Sequence, residues 1–199
     1  MISKAPRLLV CLAVALCGLA AISFFVDTVE ARKEDAAVNY MRRAANALID
    51  AQRKGSAGAF ARVIKTYGHI PAISLYALGD FRSGLPRSRR GSYYKGVTRF
   101  IGRYAANEAP KYPVSRVVFA RAGIRDGRAI LIDSRVILKS GTTYDVRWML
   151  VPNRGSFKVR DAQVLGFWVS PFLQTLFENY IKDNGGRVSD LVTVLNRMR

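Results

Sequence analysis

Few side chains in this sequence could carry out chemistry at a catalytic or metal centre. The 199 residues include a single histidine and two cysteines, and such centres need titratable groups that converge. Cys11 and Cys17 both lie in the N-terminal apolar segment, so the rest of the chain has no thiol for a disulfide or a metal. His69, beside Pro71 at a predicted helix start, has no partner at ligand spacing, which favours a capping or packing role over catalysis. The sequence therefore predicts no enzyme, no metal and no cofactor.

Asp161 is the acid that most needs an explanation, because it lies inside a predicted strand between Arg160 and Ala162. A carboxylate within a strand requires a hydrogen-bonding partner. It could act as a general base, but a contact that fixes the strand end to a neighbouring helix or turn is the simpler interpretation. Asp133 and Arg135 raise the same question in another strand, where we expect them on an exposed face.

The elements that position these residues follow from the spacing of apolar side chains. A spacing of three to four predicts helices over residues 34–54, 60–67, 71–79 and 93–104. After Pro113 the period shortens to two, which predicts four strands at 114–121, 129–139, 143–151 and 157–165. Helical spacing returns over residues 172–184 and 189–198. The fold class is therefore α+β, with a four-stranded antiparallel sheet and helices before and after it packed on one face.

The N-terminal segment indicates export from the cytosol. Lys4 and Arg7 precede an uncharged apolar run over residues 8–26, as in a secretory signal. Small residues allow cleavage after Ala20 or Ala31, and the second site is preferred. We therefore expect a signal peptide over residues 1–31 and a single domain over 32–199. The apolar run is also close to the roughly 20 residues that span a bilayer, so an uncleaved anchor is the alternative.

The charge of the chain predicts an anionic partner. Lysine and arginine number 32 against 14 acids, for a formal net charge of +18, and such a surface attracts anions. In a cytosolic protein the partner would be nucleic acid, which we do not expect for an exported chain. Outside the cytosol, a membrane surface is the available polyanion, and each nearby basic residue contributes about 1 kcal/mol.

The residues at the end of the last predicted strand carry a family resemblance. Phe157, Lys158, Val159, Asp161 and Gly166 resemble the strand signature of the MlaC family, also called toluene-tolerance proteins. Residues 70–79, 94–104 and 184–195 resemble that family's helices, so the likeness covers nearly all of the predicted domain. Where the common pattern continues with Gly-Val-Ser and a polar stretch, this chain has two aromatics instead, at 167–168. This difference leaves the lipid open and is compatible with the hopanoid-associated, HpnM-like subgroup.

The resemblance implies a monomeric periplasmic carrier of phospholipid, or of a hopanoid-like lipid, in the Gram-negative envelope. Its implied partners are an outer-membrane lipoprotein complex and an inner-membrane ABC transporter complex with an MCE-domain subunit. Acyl tails would enter an apolar cavity between sheet and helices, and we expect lipid to co-purify. The residues expected to line it are Tyr76, Tyr94, Val97, Phe100, Ile101 and Tyr104 from the helices, with Val136, Tyr144, Val146, Trp148, Phe167 and Trp168 from the sheet and its exit.

A different class of function is also compatible with the sequence. Aromatic faces with helical or strand spacing build an ordinary core as readily as a pocket, and composition does not separate the two. With only a core inside, the protein would be a membrane-anchored assembly or structural factor of the envelope. Its basic surface would then dock on anionic lipid.

Overall fold

The structure is a computed structural model that describes residues 36–197. No helix within that range is both long and apolar enough to cross a bilayer. The predicted signal segment, residues 1–31, lies outside the described residues. Within the described range, six α-helices and six strands follow one another: α1 36–54, α2 Ala57–Tyr67, α3 Ile70–Tyr76, α4 Arg90–Glu108, β1 Val114–Phe119, β2 Ile124–Asp126, β3 Ala129–Leu138, β4 Thr143–Asn153, β5 Ser156–Val164, β6 Phe167–Trp168, α5 Val169–Asp183 and α6 Val188–Arg197.

Local signals in the sequence account for the helix starts in the first half of the chain. Gly55 has a φ of +61°, a backbone conformation that suits glycine and ends α1. Ser56 then caps α2, since its side chain accepts a hydrogen bond from the Ala59 N–H at 3.2 Å. His69 caps α3 in the same manner, with Nδ1 accepting from the Ala72 N–H at 3.3 Å. The expected capping role of the single histidine is confirmed.

The domain is α+β, with an antiparallel sheet whose strands are preceded and followed by helices in the sequence. The prediction of four strands is wrong, because the sheet has six, and the path β1-β3-β4-β5-β6 is extended by β2 beside β3. Both missed strands are too short, at three and two residues, to show a period of two. The second forms a hairpin on β5 through Leu165 and Gly166, whose φ angles of 52° and 84° are those of a tight two-residue turn.

One face of the sheet packs on α1. Ile130 and Ile132 of β3 and Leu150 of β4 share a buried cluster with Val38 and Met41 of α1. Burial of these side chains is what fixes the strand register, because a slip of one residue would turn them all to solvent.

Alternate positions on the same two strands carry charge. Arg147 donates to both carboxylate oxygens of Asp133, at 2.6 and 2.9 Å, and Arg135 donates to Asp145 at 2.8 Å. Each pair joins residues directly opposite on β3 and β4, and all four side chains are 40% exposed or more. Asp133 and Arg135 therefore lie on an exposed face, as predicted.

Helices α4, α5 and α6 share a second buried cluster. Tyr93 of α4 is fully buried among side chains of α5 and α6, and its hydroxyl donates to the Ser74 carbonyl at 2.8 Å. Burial is the main cause of the raised pKa of Tyr93, and neighbouring Tyr94 adds to it. Gly102 allows α4 to lie directly against α2, because a Cβ there would stand 2.8 Å from the Ala57 carbonyl oxygen. This close approach holds α2 against α4.

Candidate functional site

An apolar pocket of about 210 Å³ lies between the helices and strands β4 and β5. Helices α1 to α5 contribute to its wall, together with the part of β5 that precedes the β6 hairpin. Apart from a short polar segment, the lining is aliphatic and aromatic: Met41, Ala44, Leu48, Val63, Ile64, Tyr67, Gly68, Ile73, Phe100, Ile101, Tyr104, Trp148, Val159, Arg160, Asp161, Ala162, Val169, Ser170, Phe172 and Leu173.

Helical periodicity places most of these side chains. Three helices each contribute residues three or four positions apart, which lie on one face of a helix. In α4 these are Phe100, Ile101 and Tyr104, and α1 and α2 contribute corresponding sets. The pocket therefore has walls of packed helices on several sides, and only β4 and β5 contribute sheet.

A β-bulge shapes the sheet side of the pocket. Leu150 pairs with Val159 and Met149 pairs with Asp161, so Arg160 is an extra residue without a partner in β4. An extra residue shifts the alternation of side chains along a strand. As a result, Val159 and Ala162, three positions apart, both line the pocket, and the two charged residues between them also reach its wall.

Asp161 joins this strand to helix α5. Its Oδ1 accepts from the backbone N–H of Ser170 at 3.0 Å and from that of Ala162 at 2.8 Å. The first of these is one of the N–H groups that a helix leaves without an internal partner at its N-terminus. The structural interpretation of Asp161 is thus supported: the carboxylate caps α5 from the neighbouring strand and fixes the helix against the pocket.

Arg160 lies at the edge of the pocket beside that cap. Its guanidinium carbon is 5.1 Å from the centre of the Tyr76 ring, a cation–π distance. Its Nη1 donates to the buried Ser170 hydroxyl at 3.3 Å. We refer to Arg160, Asp161 and Ser170 as the polar edge, and the two charged members are the only ionised side chains that line the pocket.

Apolar side chains that stand in solvent continue from the pocket wall. Tyr104, Val169 and Phe172 line the pocket and yet are 50%, 45% and 58% exposed. We refer to them as the apolar rim. Phe167, 80% exposed, follows the β5–β6 turn directly before α5. Exposed apolar residues grouped in this way mark a binding surface more often than a neutral one.

Four of the twelve side chains predicted to line a pocket do so: Phe100, Ile101, Tyr104 and Trp148. Tyr76 lies just outside, against Arg160. Val97 is buried in the helical core and Tyr94 packs against that core. On the sheet, Tyr144 stacks edge-on with Tyr112, Val146 is buried, and Val136 pairs with Tyr144. Phe167 and Trp168 form β6, outside the lining.

The sequence interpretation overlooked the contributions of α1, α2 and α5. Met41 and Leu48 fall on the apolar stripe of the helix predicted over residues 34–54, but a stripe has the same spacing whether it faces a core or a pocket. Leu173 and Phe172 of α5 carried the same ambiguity. No signal in the sequence distinguishes them.

The chemistry of the described residues favours binding. Within residues 36–197, no three histidine, cysteine, aspartate or glutamate side chains come close enough to hold a metal ion. The pocket can shelter apolar groups from water, and its polar edge can contact one charged group.

Comparisons with known proteins agree with this architecture. The family described as MlaC protein matches residues 34–197. No curated protein sequence matches the chain. Among solved structures, a phospholipid-binding protein from Ralstonia solanacearum, in complex with a phospholipid, superposes with a TM-score of 0.65 at 20% sequence identity. The match covers 81% of this chain and 95% of that one. At this identity the likeness establishes a shared fold.

Proposed function

Since the chain belongs to the MlaC family, we propose that it is a periplasmic lipid-binding protein that carries phospholipid, or a hopanoid-like lipid, between the outer and inner membranes. The observation that carries the proposal is the apolar pocket between helices and sheet, with its apolar rim open to solvent. The phospholipid in the structurally similar Ralstonia protein supports the same ligand class. We assign the protein no catalytic role.

The energetics of lipid transfer require such a pocket. Burial of one methylene lowers the free energy by about 0.8 kcal/mol. Moving a sixteen-carbon tail from an apolar environment into water therefore costs on the order of 12 kcal/mol. The pocket, at about 210 Å³, is smaller than the roughly 300–1,000 Å³ of typical ligand sites. A whole tail therefore enters only if the walls move apart. Helix walls can do this by sliding past one another, as packed helices do in shear motions.

The position of the apolar rim suggests the route of the lipid. Tyr104, Val169 and Phe172 lie both in the lining and in solvent, so a tail that leaves a membrane or a partner would meet apolar surface before the pocket. In the proposed system the protein is monomeric and exchanges lipid with an outer-membrane lipoprotein complex and an inner-membrane MCE-domain ABC transporter. The net charge of +18 favours approach to anionic membrane surfaces.

The direct test is to identify what the protein carries. The full chain is expressed in a Gram-negative host, purified from the periplasmic fraction without detergent, and extracted with organic solvent for mass spectrometry. We expect a membrane lipid at near-stoichiometric amounts, and its mass distinguishes phospholipid from a hopanoid. Protein that carries no lipid, including after expression in its native host, would overturn the proposal.

The alternative function, a membrane-anchored envelope assembly factor, is favoured by the basic surface and the apolar run at residues 8–26. It predicts that the N-terminal segment is retained and that the protein fractionates with membranes. Intact-mass measurement of the protein from the periplasmic and membrane fractions separates the two. A mature chain that begins at residue 32 excludes the anchor.

A further inference from the structure

We propose that Arg160 is the headgroup-recognition residue of this protein and that it binds the phosphate of a lipid whose tail occupies the apolar pocket. This inference rests on the proposed function and deepens it. It assigns a preference for lipids with a phosphate group over uncharged lipids with the same tails. The position of the guanidinium, its partners and the geometry of phosphate recognition each contribute to the argument.

The bulge in β5 places Arg160 at the pocket edge. In a regular strand, the neighbour of inward-facing Val159 would point to the opposite face of the sheet. Here Arg160 is the extra residue between the pairs Leu150–Val159 and Met149–Asp161, and it lines the pocket. Bulges commonly re-aim a side chain at a functional site. The extra residue thus brings a permanent positive charge to a wall that is apolar outside the polar edge.

The partners of Arg160 hold the guanidinium without neutralising it. The Tyr76 ring lies 5.1 Å below it, and the Ser170 hydroxyl accepts one hydrogen bond at 3.3 Å. Both groups are uncharged. Other arginines of the domain, such as Arg135 and Arg147, are paired with carboxylates. Among residues 36–197, no carboxylate forms an ion pair with Arg160, and the side chain is half-buried. A half-buried guanidinium in this state can accept an anionic partner.

Neighbouring Asp161 does not supply that partner. Its Oδ1 is committed to the backbone N–H groups of Ala162 and Ser170. This carboxylate therefore complements the N-terminus of α5, whose partial positive charge offsets it. The guanidinium retains donors for an external group. Arginine is well suited to phosphate because its planar fork matches two phosphate oxygens at once.

The order of residues at the start of α5 fits a lipid bound in this orientation. Val169 and Phe172 of the apolar rim and Ser170 of the polar edge follow one another at the start of α5. A tail that packs on the rim side chains thus has its charged end beside Arg160. The phosphate stays at the pocket edge, where it keeps part of its hydration, while the tail is buried.

A competition experiment tests the assignment. Delipidated protein is incubated with nonionic detergent micelles that contain equal amounts of dioleoyl-phosphatidic acid and dioleoylglycerol, which share the same tails. The protein is re-isolated, and the ratio of the two bound lipids is measured by mass spectrometry. We expect the wild-type protein to favour the phosphate lipid by roughly 10- to 100-fold, the range of one charge-assisted contact.

Three variants test whether Arg160 causes the preference for the phosphate lipid. Arg160→Met should bring the ratio of bound phosphatidic acid to bound dioleoylglycerol close to one. Arg160→Lys, which retains the charge and the fold but lacks the fork, should give an intermediate ratio. Arg116→Met is the matched control, because it removes the same charge from an exposed position on β1. In the strand order, β1 is separated from β5 by β3 and β4. The control should keep the wild-type ratio.

The outcomes separate this inference from the function on which it rests. A wild-type protein that binds both lipids equally, or a ratio that Arg160→Met and Arg160→Lys leave unchanged, overturns the role of Arg160 and leaves lipid binding intact. A ratio that falls as far in Arg116→Met as in Arg160→Met shows that overall charge causes the preference, and also overturns it. Wild-type protein that takes up neither lipid contradicts lipid binding itself.

Discussion

Substitution of Ala44 by leucine should separate the pocket from the ordinary core. Ala44 and Ala51 both lie on α1 and are each 2% exposed, but only Ala44 lines the pocket. Leucine adds three carbons, each worth about 0.8 kcal/mol when buried. In Ala44→Leu these carbons can enter the 210 Å³ pocket and stabilise the lipid-free protein by up to about 2 kcal/mol. In Ala51→Leu they meet packed side chains, at a cost of about 1–3 kcal/mol.

The same substitution should weaken lipid binding. Three added carbons take the place of about three tail methylenes, which removes roughly 2.4 kcal/mol, or about 60-fold in affinity. Urea unfolding of delipidated protein, followed by circular dichroism, gives the stability of each variant. Displacement of a fluorescent acyl probe by a defined phospholipid gives the affinity.

Two results would refute this reasoning. An Ala44→Leu protein with wild-type affinity shows that lipid tails do not occupy this pocket. An Ala44→Leu protein as unstable as Ala51→Leu shows that the pocket has no room for added side-chain atoms. A lipid tail would then have no room either, unless the pocket walls move apart.

Further expectations concern helix packing, the exposed hairpin and the charged sheet face. Gly102→Ala should cost about 1–3 kcal/mol in urea unfolding, because its Cβ would clash with α2. Gly91→Ala, in the same helix with nothing within 4 Å of the added carbon, should gain up to about 1 kcal/mol; equal effects would contradict the close approach. Phe167→Ser should slow lipid uptake from anionic vesicles in a stopped-flow assay without changing the amount bound at equilibrium, whereas an unchanged rate would exclude the hairpin from membrane contact. The hydrogen bond from Arg147 lowers the pKa of Asp133, so the pair stabilises the fold above about pH 4 and loses its effect as pH falls through the lowered value. Because both side chains are about half exposed, the difference between wild type and Asp133→Asn should be below about 1 kcal/mol at pH 7 and vanish near pH 2; a difference that persists there would contradict the ion pair as its cause.

The two short strands, β2 and β6, could not be predicted from sequence patterns. The four longer strands, of 6, 10, 11 and 9 residues, could be predicted because each is long enough to show alternation, and their order along the chain matches their order in the sheet. The two additional strands are held by hydrogen bonds to β3 and β5, not by their own periodicity. A strand of two residues exists only because a neighbour offers it a partner.

Asp161 and Arg160 show the same limit at the level of the site. The sequence indicated that Asp161 needs a partner, because a carboxylate is costly to bury alone. It did not identify the partner, since Ser170 lies beyond a hairpin whose turn contains Leu165, a residue that rarely adopts a positive φ. The bulge that carries Arg160 to the pocket edge is likewise a property of the pairing between β4 and β5.

The sequence by itself determined the class of fold, the family, the charge and the shortage of catalytic groups, because these depend on residue types and on short-range periodicity. It also determined that Phe100, Ile101 and Tyr104 share one face of a helix. Only the tertiary structure decided that this face meets a pocket, while Val97 and Tyr93 of the same helix meet a packed core. The physical reason is that removing an apolar helix face from water is favourable whether the face meets a packed core or a pocket. How closely the neighbouring helices approach decides which of the two environments forms.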